Sequence, residues 1–146
     1  MADVWSTVGA FALGGVGWLV TSFVASPFRH FYDLRSEVIH KSVLYANVRA
    51  GAKQDRPDHK AHEELDNAGL ERLRDAEDEF RDLAARMRAF ALNEPFGAWL
   101  VRRRGYDPMK ASSALLGVSN TIGTYGPDRA AAKAALEDVL GFRTTE

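Results

Sequence analysis

The sequence predicts an all-α protein in which an N-terminal transmembrane helix is followed by a small antiparallel helical bundle. Residues 4–28 contain no charged side chain, which is typical of a membrane-spanning helix. Apolar residues farther along recur at the three- and four-residue spacing of amphipathic helices, whereas no stretch alternates in the way that predicts a strand. We therefore divide the chain into an anchor, residues 1–28, and a helical domain, residues 29–146.

The anchor is long enough to cross a bilayer. Its 25 uncharged residues, Val4 to Phe28, would form a helix of about 36 Å, whereas the hydrocarbon core of a bilayer is about 30 Å thick. A cleaved signal peptide is the competing interpretation, but such a peptide usually begins with Lys or Arg and has a shorter apolar run. Only Asp3 is charged before this run, so we predict a retained span.

Basic residues predict the orientation of the span. No Lys or Arg precedes it, whereas five lie within residues 29–53, and the flank that is richer in Lys and Arg usually stays in the cytoplasm. We therefore predict a single-pass protein of the bacterial inner membrane, with its N-terminus outside and its C-terminal domain in the cytoplasm. Residues 54–94 carry twelve acids and seven bases, which suits helices that pack through complementary charges.

Small residues line one side of the predicted span. The members of this small-residue stripe are Ser6, Ala10, Gly14, Gly17, Thr21 and Ala25. Their spacing of three and four residues places them on one helix face, where a second membrane helix could approach closely. Glycine and alanine are also common in membrane helices in general, so an incidental pattern is the alternative.

The helical domain is predicted to contain about four helices joined by short connections. Its first helix should end at Gly51, because residues 51–58 have the composition of a connection. The apolar face of this helix consists of Phe31, Leu34, Val38, Tyr45 and Val48. A short helix or turn follows Pro95, and the pairs Asp107–Pro108 and Gly126–Pro127 each predict the start of a further helix.

The second helix of the domain carries the most regular apolar pattern outside the anchor. Its seam consists of Leu73, Ala76, Phe80, Leu83, Met87 and Phe90. The alternating spacing of three and four residues predicts a core face or a coiled-coil face. Asp58 is a candidate cap for its start, and Pro95 stops it.

Two segments resemble a family of uncharacterised bacterial proteins. They are LRSEVIHKSVLYANV at residues 34–48 and LLGVSNTIG at residues 115–123. The members of this family carry an N-terminal span and helices similar to these two. The resemblance implies a single-pass, membrane-anchored helical protein and no particular activity, so no functional residue is carried over from it.

No set of residues predicts catalysis, a cofactor or a metal site. Cysteine is absent, and His59 and His62 lack the spacing and the third ligand of a zinc site, so exposed histidines are the better interpretation. The acid-rich residues 71–82 are interleaved with arginines, as in a solvated, ion-paired helix face, and the serines lack a nucleophile motif. Helix-end capping is the default role, with a buried polar cluster as the alternative, for Tyr45, Asn47, Ser119 and Asn120.

An aromatic residue and a run of arginines stand together between the second helix and the Asp107–Pro108 pair. The residues are Trp99, Arg102, Arg103 and Arg104. They suit contact with a membrane surface or an acidic partner, and ordinary surface charge or pairing with the acidic helix is the alternative. The net charge of −1 and the narrow basic patch argue against nucleic acid.

The function predicted from these features is that of a membrane-anchored structural or interaction protein. Its expected partners are membrane lipid and either further copies of the chain or other membrane-protein subunits. The alternative is a membrane-acting effector, whose oligomerised spans permeabilise or remodel the bilayer. We predict no enzymatic activity.

The orientation can be tested with a reporter that is active only in the cytoplasm. Fused after Glu146, it should be active, because the basic residues that follow the span retain that flank inside. A reporter that is active only in the periplasm, fused at the same position, is the matched control and should be silent. The reverse pattern of activity would contradict the predicted orientation.

Overall fold

The regular structure of the described residues is helical. The computed structural model describes residues 14–19, 21–48, 67–124 and 126–142, and contains no strand among them. Residues 14–19 are helical and lead into a π-helical turn, Thr21–Ala25. The helices that follow are α1 (Ser26–Leu44), α2 (Asn67–Asn93), α3 (Pro95–Arg103), α4 (Pro108–Thr121) and α5 (Pro127–Leu140). The predicted all-α class is therefore confirmed.

Prolines mark the starts of four of these helices. Each of α1, α3, α4 and α5 has a proline in its first turn. In α3, α4 and α5 the missing N–H group costs no hydrogen bond, whereas Pro27 of α1 directly follows the π-helical turn, where the helix changes its hydrogen-bonding pattern. The carboxylate of Asp107 caps α4 by accepting hydrogen bonds from the N–H groups of Met109 and Lys110, at 3.0 and 3.2 Å. The predicted helix starts at Pro108 and Pro127 are therefore confirmed.

Helix α1 ends at Leu44, earlier than the predicted end at Gly51. The chain turns at residues 45–47 and buries the side chain of Val48. Arg129 of α5 donates hydrogen bonds to the carbonyl oxygens of Ala46 and Val48, at 3.2 and 3.1 Å. The guanidinium of Arg129 thus binds carbonyl oxygens that would accept hydrogen bonds within the helix if α1 were longer. The predicted connection, residues 51–58, and the candidate cap Asp58 lie outside the described residues.

Hydrogen bonds and ion pairs show that neighbouring helices run antiparallel. His30 lies at one end of α1 and contacts Glu94, just after α2, whereas Lys41 contacts Glu79 in the middle of α2. In the same way, Ser112 and Ser119 of α4 contact α2 at positions that decrease along the chain. We call the end of the bundle that contains the start of α1 and the end of α2 the proximal end, and the opposite end the distal end.

Helix α5 completes the bundle beside α1 and α4. Arg35 of α1 donates hydrogen bonds to the carbonyl oxygens of Leu140 and Gly141, at 2.7 and 3.0 Å, and so binds the otherwise unpaired end of α5. Gly141 follows with φ of 60°, a left-handed conformation that favours glycine and ends the helix. The four long helices therefore run up, down, up and down, and the short α3 crosses the proximal end.

The seam of α2 lies inside the bundle. Ala76, Phe80, Leu83, Met87 and Phe90 are buried, and Leu73 is partly buried against the same core. The core also contains Phe31, Leu34, Val38, Ala84, Ala98, Val101, Ala111, Leu115, Ile122, Leu136 and Leu140. Because the seam is covered by helices of the same chain, its regular spacing reflects packing within the bundle.

Two buried serines join α2 to α4. The hydroxyl of Ser112 donates a hydrogen bond to the carbonyl oxygen of Ala84 at 2.8 Å, and that of Ser119 donates to the carbonyl oxygen of Glu77 at 2.9 Å. Each carbonyl has a second lone pair besides the one used in its own helix. The default assignment of Ser119 to helix capping is therefore wrong, because this side chain faces α2 and not its own helix end.

Phe80→Ala tests the core. Phe80 is buried and its truncation leaves a cavity, so we expect the free energy of unfolding to fall by about 3–5 kcal/mol. Phe96→Ala is the matched control, because Phe96 is 49% exposed and its truncation should cost far less. Thermal unfolding of the full chain in mild detergent, followed by circular dichroism, measures both. Equal effects of the two substitutions would contradict the assigned core.

Candidate membrane-contact site

Apolar side chains are exposed in the helical residues that precede α1. Val16, Trp18 and Leu19 are exposed by 58%, 65% and 49%. The hydroxyl of Thr21 donates a hydrogen bond to the carbonyl oxygen of Gly17 at 2.9 Å, so this polar group is satisfied without water. An exposed apolar stretch of this kind usually marks contact with a membrane or with another protein.

The described part of the predicted span is short. Within residues 14–19, 21–48, 67–124 and 126–142, no helix is long and apolar enough to cross a membrane. Residues 1–13 of the predicted anchor, with Ser6 and Ala10 of the small-residue stripe, lie outside the described residues. A methyl group placed on Gly14 or Gly17 would meet no described atom within 4 Å. The described residues of the chain therefore leave this part of the stripe uncovered.

Helix α3 packs closely against the start of α1. A β-carbon placed on Gly97 would lie only 2.5 Å from Cβ of Pro27 and 3.4 Å from Cζ of Phe90. The two helices can approach this closely because residue 97 has no side chain. Ala98 and Val101 of the same helix are buried. Helix α3 is therefore held where the exposed apolar helix enters the bundle.

The outer face of α3 combines aromatic rings with arginines. Phe96 and Trp99 are about half exposed and stack with their ring centroids 5.8 Å apart. The guanidinium of Arg103 lies 5.0 Å from the centroid of the Trp99 ring, within the range of a cation–π interaction. We call this group the aromatic–arginine cluster, and its members are Phe28, Phe96, Trp99, Arg102, Arg103 and Arg104.

Phe28 connects the cluster to α1. Phe28 follows Pro27 directly in the chain, and the centroid of its ring lies 5.8 Å from the guanidinium of Arg104. Among the described residues, no carboxylate lies within 4.0 Å of the guanidinium of Arg102, Arg103 or Arg104. The pairing of these arginines with the acidic helix, one of the alternatives from the sequence, is therefore not observed.

Two acidic groups near the cluster, those of Glu94 and Asp107, have partners of their own, whereas Asp33 and Asp138 at the same end of the bundle are exposed. The carboxylate of Glu94 lies 2.7 Å from Nδ1 of His30, and Asp107 caps α4. Arg29 and Lys110, also at this end of the bundle, are exposed. The proximal end therefore presents an excess of positive charge beside exposed aromatic rings.

The remaining ion pairs lie away from this end or on the sides of the bundle. Arg86 of α2 binds both carboxylate oxygens of Glu37, at 3.0 and 2.7 Å, which raises the pKa of the guanidinium above its usual value. Lys41 pairs with Glu79 at 2.8 Å, and this hydrogen bond raises the pKa of the ammonium group. Partly exposed pairs of this kind contribute little to stability, so they mainly fix how α1 and α2 align.

The other candidates from the sequence do not form a site in the described residues. In the acid-rich residues 71–82, Arg81 pairs with Glu77 at 3.5 Å and with Asp78 at 3.3 Å, whereas Arg72 and Arg74 are exposed and form no ion pair among the described residues. His59 and His62 lie outside the described residues. Among the residues that are described, no group of three or more side chains could hold a metal ion.

The sequence alone does not identify Phe28, Phe96 and Gly97 together as parts of the site. It places Phe28 at the end of the span, and Phe96 and Gly97 in a short helix or turn. The signal that is present is the segment PFGAW at residues 95–99, which places two aromatic residues around a glycine. Its partner at Pro27 is distant in the chain, so only the folded structure brings them together.

Comparison of the chain with protein-family models, with curated proteins and with solved structures gave no match. The resemblance of residues 34–48 and 115–123 to a membrane-anchored family therefore stays a prediction. The physical features of the proximal end are the basis for assigning a function.

Gly97→Ala tests the close contact between α3 and α1. The added methyl group would press on Pro27, whose ring cannot move aside easily, so the free energy of unfolding should fall by about 1–3 kcal/mol. Gly117→Ala is the matched control, because its new methyl group would lie at an ordinary 3.7 Å from Cβ of Ala132. That substitution should leave stability unchanged or raise it by up to about 1 kcal/mol.

Thermal unfolding of the two variants in the same detergent provides the measurement. If Gly97→Ala were as stable as Gly117→Ala, helix α3 would not press on Pro27, and the assigned arrangement of the proximal end would be wrong.

Proposed function

We propose that the protein is a membrane-anchored structural or interaction protein. Its N-terminal residues 1–28 insert into the bacterial inner membrane, and residues 29–146 form a helical domain at the cytoplasmic surface. The chain acts by associating with further copies of itself or with subunits of a larger membrane complex. The single observation that carries this proposal is the exposed apolar helix at residues 14–19, which leads directly towards the bundle.

The connection between this apolar helix and the bundle supports a structural role. Helix α1 follows the π-helical turn without a loop, and its residues Phe31, Leu34 and Val38 are buried in the core. The contact of Gly97 with Pro27 adds a second attachment. These contacts support a domain that lies close to the end of the proposed anchor.

The distribution of charge supports the proposed orientation. Positive residues at the proximal end lie next to the apolar helix, and basic residues that flank a span favour the cytoplasmic side. The aromatic rings of Phe96 and Trp99 are at the same end, and aromatic residues are common at the level of the headgroups. Both features agree with a domain that rests against the inner surface of the membrane.

The small-residue stripe supports association within the membrane. No described atom lies within 4 Å of the position that a β-carbon would occupy on Gly14 or Gly17, so a second helix can approach the backbone there. The same glycine-rich face supports the second candidate function, a membrane-acting effector in which several spans assemble and permeabilise the bilayer. The proposal assigns no catalytic reaction and no nucleic-acid partner to the chain.

Replacement of Gly14 and Gly17 by leucine tests the proposed association. The larger side chains should prevent close approach of a second helix, while insertion should persist because both substitutions raise hydrophobicity. We expect the double variant to remain in the membrane fraction after alkaline carbonate extraction and to lose crosslinks to itself or co-purification with its partner. Gly15→Leu with Val16→Leu, a control on a different face, should retain both.

Three other results would change the proposal. Release of the wild-type chain by carbonate would contradict membrane anchoring itself. Retention of all crosslinks in the Gly14→Leu/Gly17→Leu variant would contradict association through the stripe. Loss of a toxic effect of the overexpressed protein in this variant, and not in the control, would favour the effector function.

A further inference from the structure

We propose that the aromatic–arginine cluster binds the headgroups of anionic phospholipids. This inference rests on the proposed membrane anchoring and adds a lipid preference to it. The anchor alone would accept any bilayer of suitable thickness. The cluster would make the position of the bundle depend on negatively charged lipid.

The position of the cluster places it at the membrane surface. Helix α3 is attached beside Pro27 by the close approach of Gly97, and Pro27 follows the π-helical turn at the end of the exposed apolar helix. When that helix lies in the hydrocarbon, the cluster lies next to the point at which the chain leaves it. The level of the lipid phosphates is therefore the level of α3.

The chemistry of the side chains suits phosphate. Guanidinium groups bind phosphate oxygens through paired N–H donors, with a geometry that lysine lacks. Arg103 and Arg104 are held over the rings of Trp99 and Phe28, which limits the conformational freedom that binding would otherwise remove. The partly exposed rings can reach into the upper acyl region while the arginines face the phosphates.

The three arginines of the cluster, like Arg72, Arg74 and Arg88 of α2, form no ion pair among the described residues, but two of them lie over aromatic rings. They have no carboxylate within 4.0 Å among the described residues, whereas Arg81 and Arg86 each pair with acids of their own or a neighbouring helix. An acidic protein surface could also bind such arginines. The adjacent exposed aromatic rings and the apolar helix favour lipid, because both extend the same surface towards hydrocarbon.

The fluorescence of Trp99 provides a direct test on the full chain. Trp5→Phe and Trp18→Phe leave Trp99 as the sole tryptophan. The protein is placed in lipid nanodiscs of phosphatidylcholine alone or with added phosphatidylglycerol, each with and without bromine on the upper acyl chain. We expect Trp99 emission to shift to shorter wavelength, and bromine to quench it more strongly, in the discs that contain phosphatidylglycerol.

Substitutions of the arginines test whether the lipid preference depends on positive charge or on the shape of the guanidinium group. In the variant Arg102→Gln/Arg103→Gln/Arg104→Gln, the spectra in the two lipids should become the same, because the affinity for an anionic surface should fall by on the order of 100-fold. The triple lysine variant should retain most of the difference. The matched control is Arg72→Gln/Arg74→Gln/Arg81→Gln, which removes the same charge from exposed positions on α2 and should behave as the parent.

Two outcomes would contradict the proposed lipid binding. Equal spectra of the parent chain in neutral and anionic discs would overturn the lipid preference and would direct the search to an acidic protein surface. If the control variant on α2 also lost the lipid preference, the preference could not be assigned to the aromatic–arginine cluster. Alkaline carbonate extraction of the same chain from vesicles tests anchoring separately. If extraction released the protein, the spectra recorded with preformed vesicles of the two compositions would still test the cluster.

Discussion

Pro27 and Gly97 meet at the point where the apolar N-terminal helix joins the bundle, and the arrangement of the proximal end depends on this contact. The missing side chain of Gly97 allows α3 to lie across the start of α1. Ala98 and Val101 are buried on the inner face of α3, and Phe96 and Trp99 lie on its outer face. Any larger residue at position 97 would push α3 away from Pro27. Such a displacement would also shift the rings and arginines that α3 carries.

The bundle itself is stabilised mainly by apolar burial, and polar groups set the alignment of its helices. Phe31 packs against Phe90 and Tyr106, with centroids 5.8 and 5.5 Å apart, and these rings fill the core next to α3. Ser112 and Ser119 then fix the register of α4 against α2, because a buried hydroxyl displaced from its carbonyl would lose its hydrogen bond without gaining water. The partly exposed ion pairs add orientation but little free energy.

The two ends of the bundle differ in chemistry, and this difference supports the proposed orientation. At the proximal end, aromatic rings and arginines without carboxylate partners among the described residues lie beside an exposed apolar helix. At the distal end, Arg129 binds the carbonyl oxygens of Ala46 and Val48, so its charge is used inside the fold. A bilayer that covers only the proximal end would bury Val16, Trp18, Leu19, Phe96 and Trp99, whereas Val43 and Leu44 at the distal end would stay exposed. It would leave the acidic outer face of α2 in water.

Local patterns in the sequence determined the helical class, the starts at Pro108 and Pro127 and the apolar seam of α2, because these features depend on neighbours within a few residues. The exposed Trp99 and Arg102 to Arg104 were also found in this way. Only the tertiary structure decided which faces are covered. The seam lies inside one chain, Ser119 faces α2, and Arg129 binds carbonyl oxygens just after the early end of α1. The tertiary structure also brought Gly97 to Pro27. Such contacts join residues distant in the chain, and the space between two helices is set by both surfaces together.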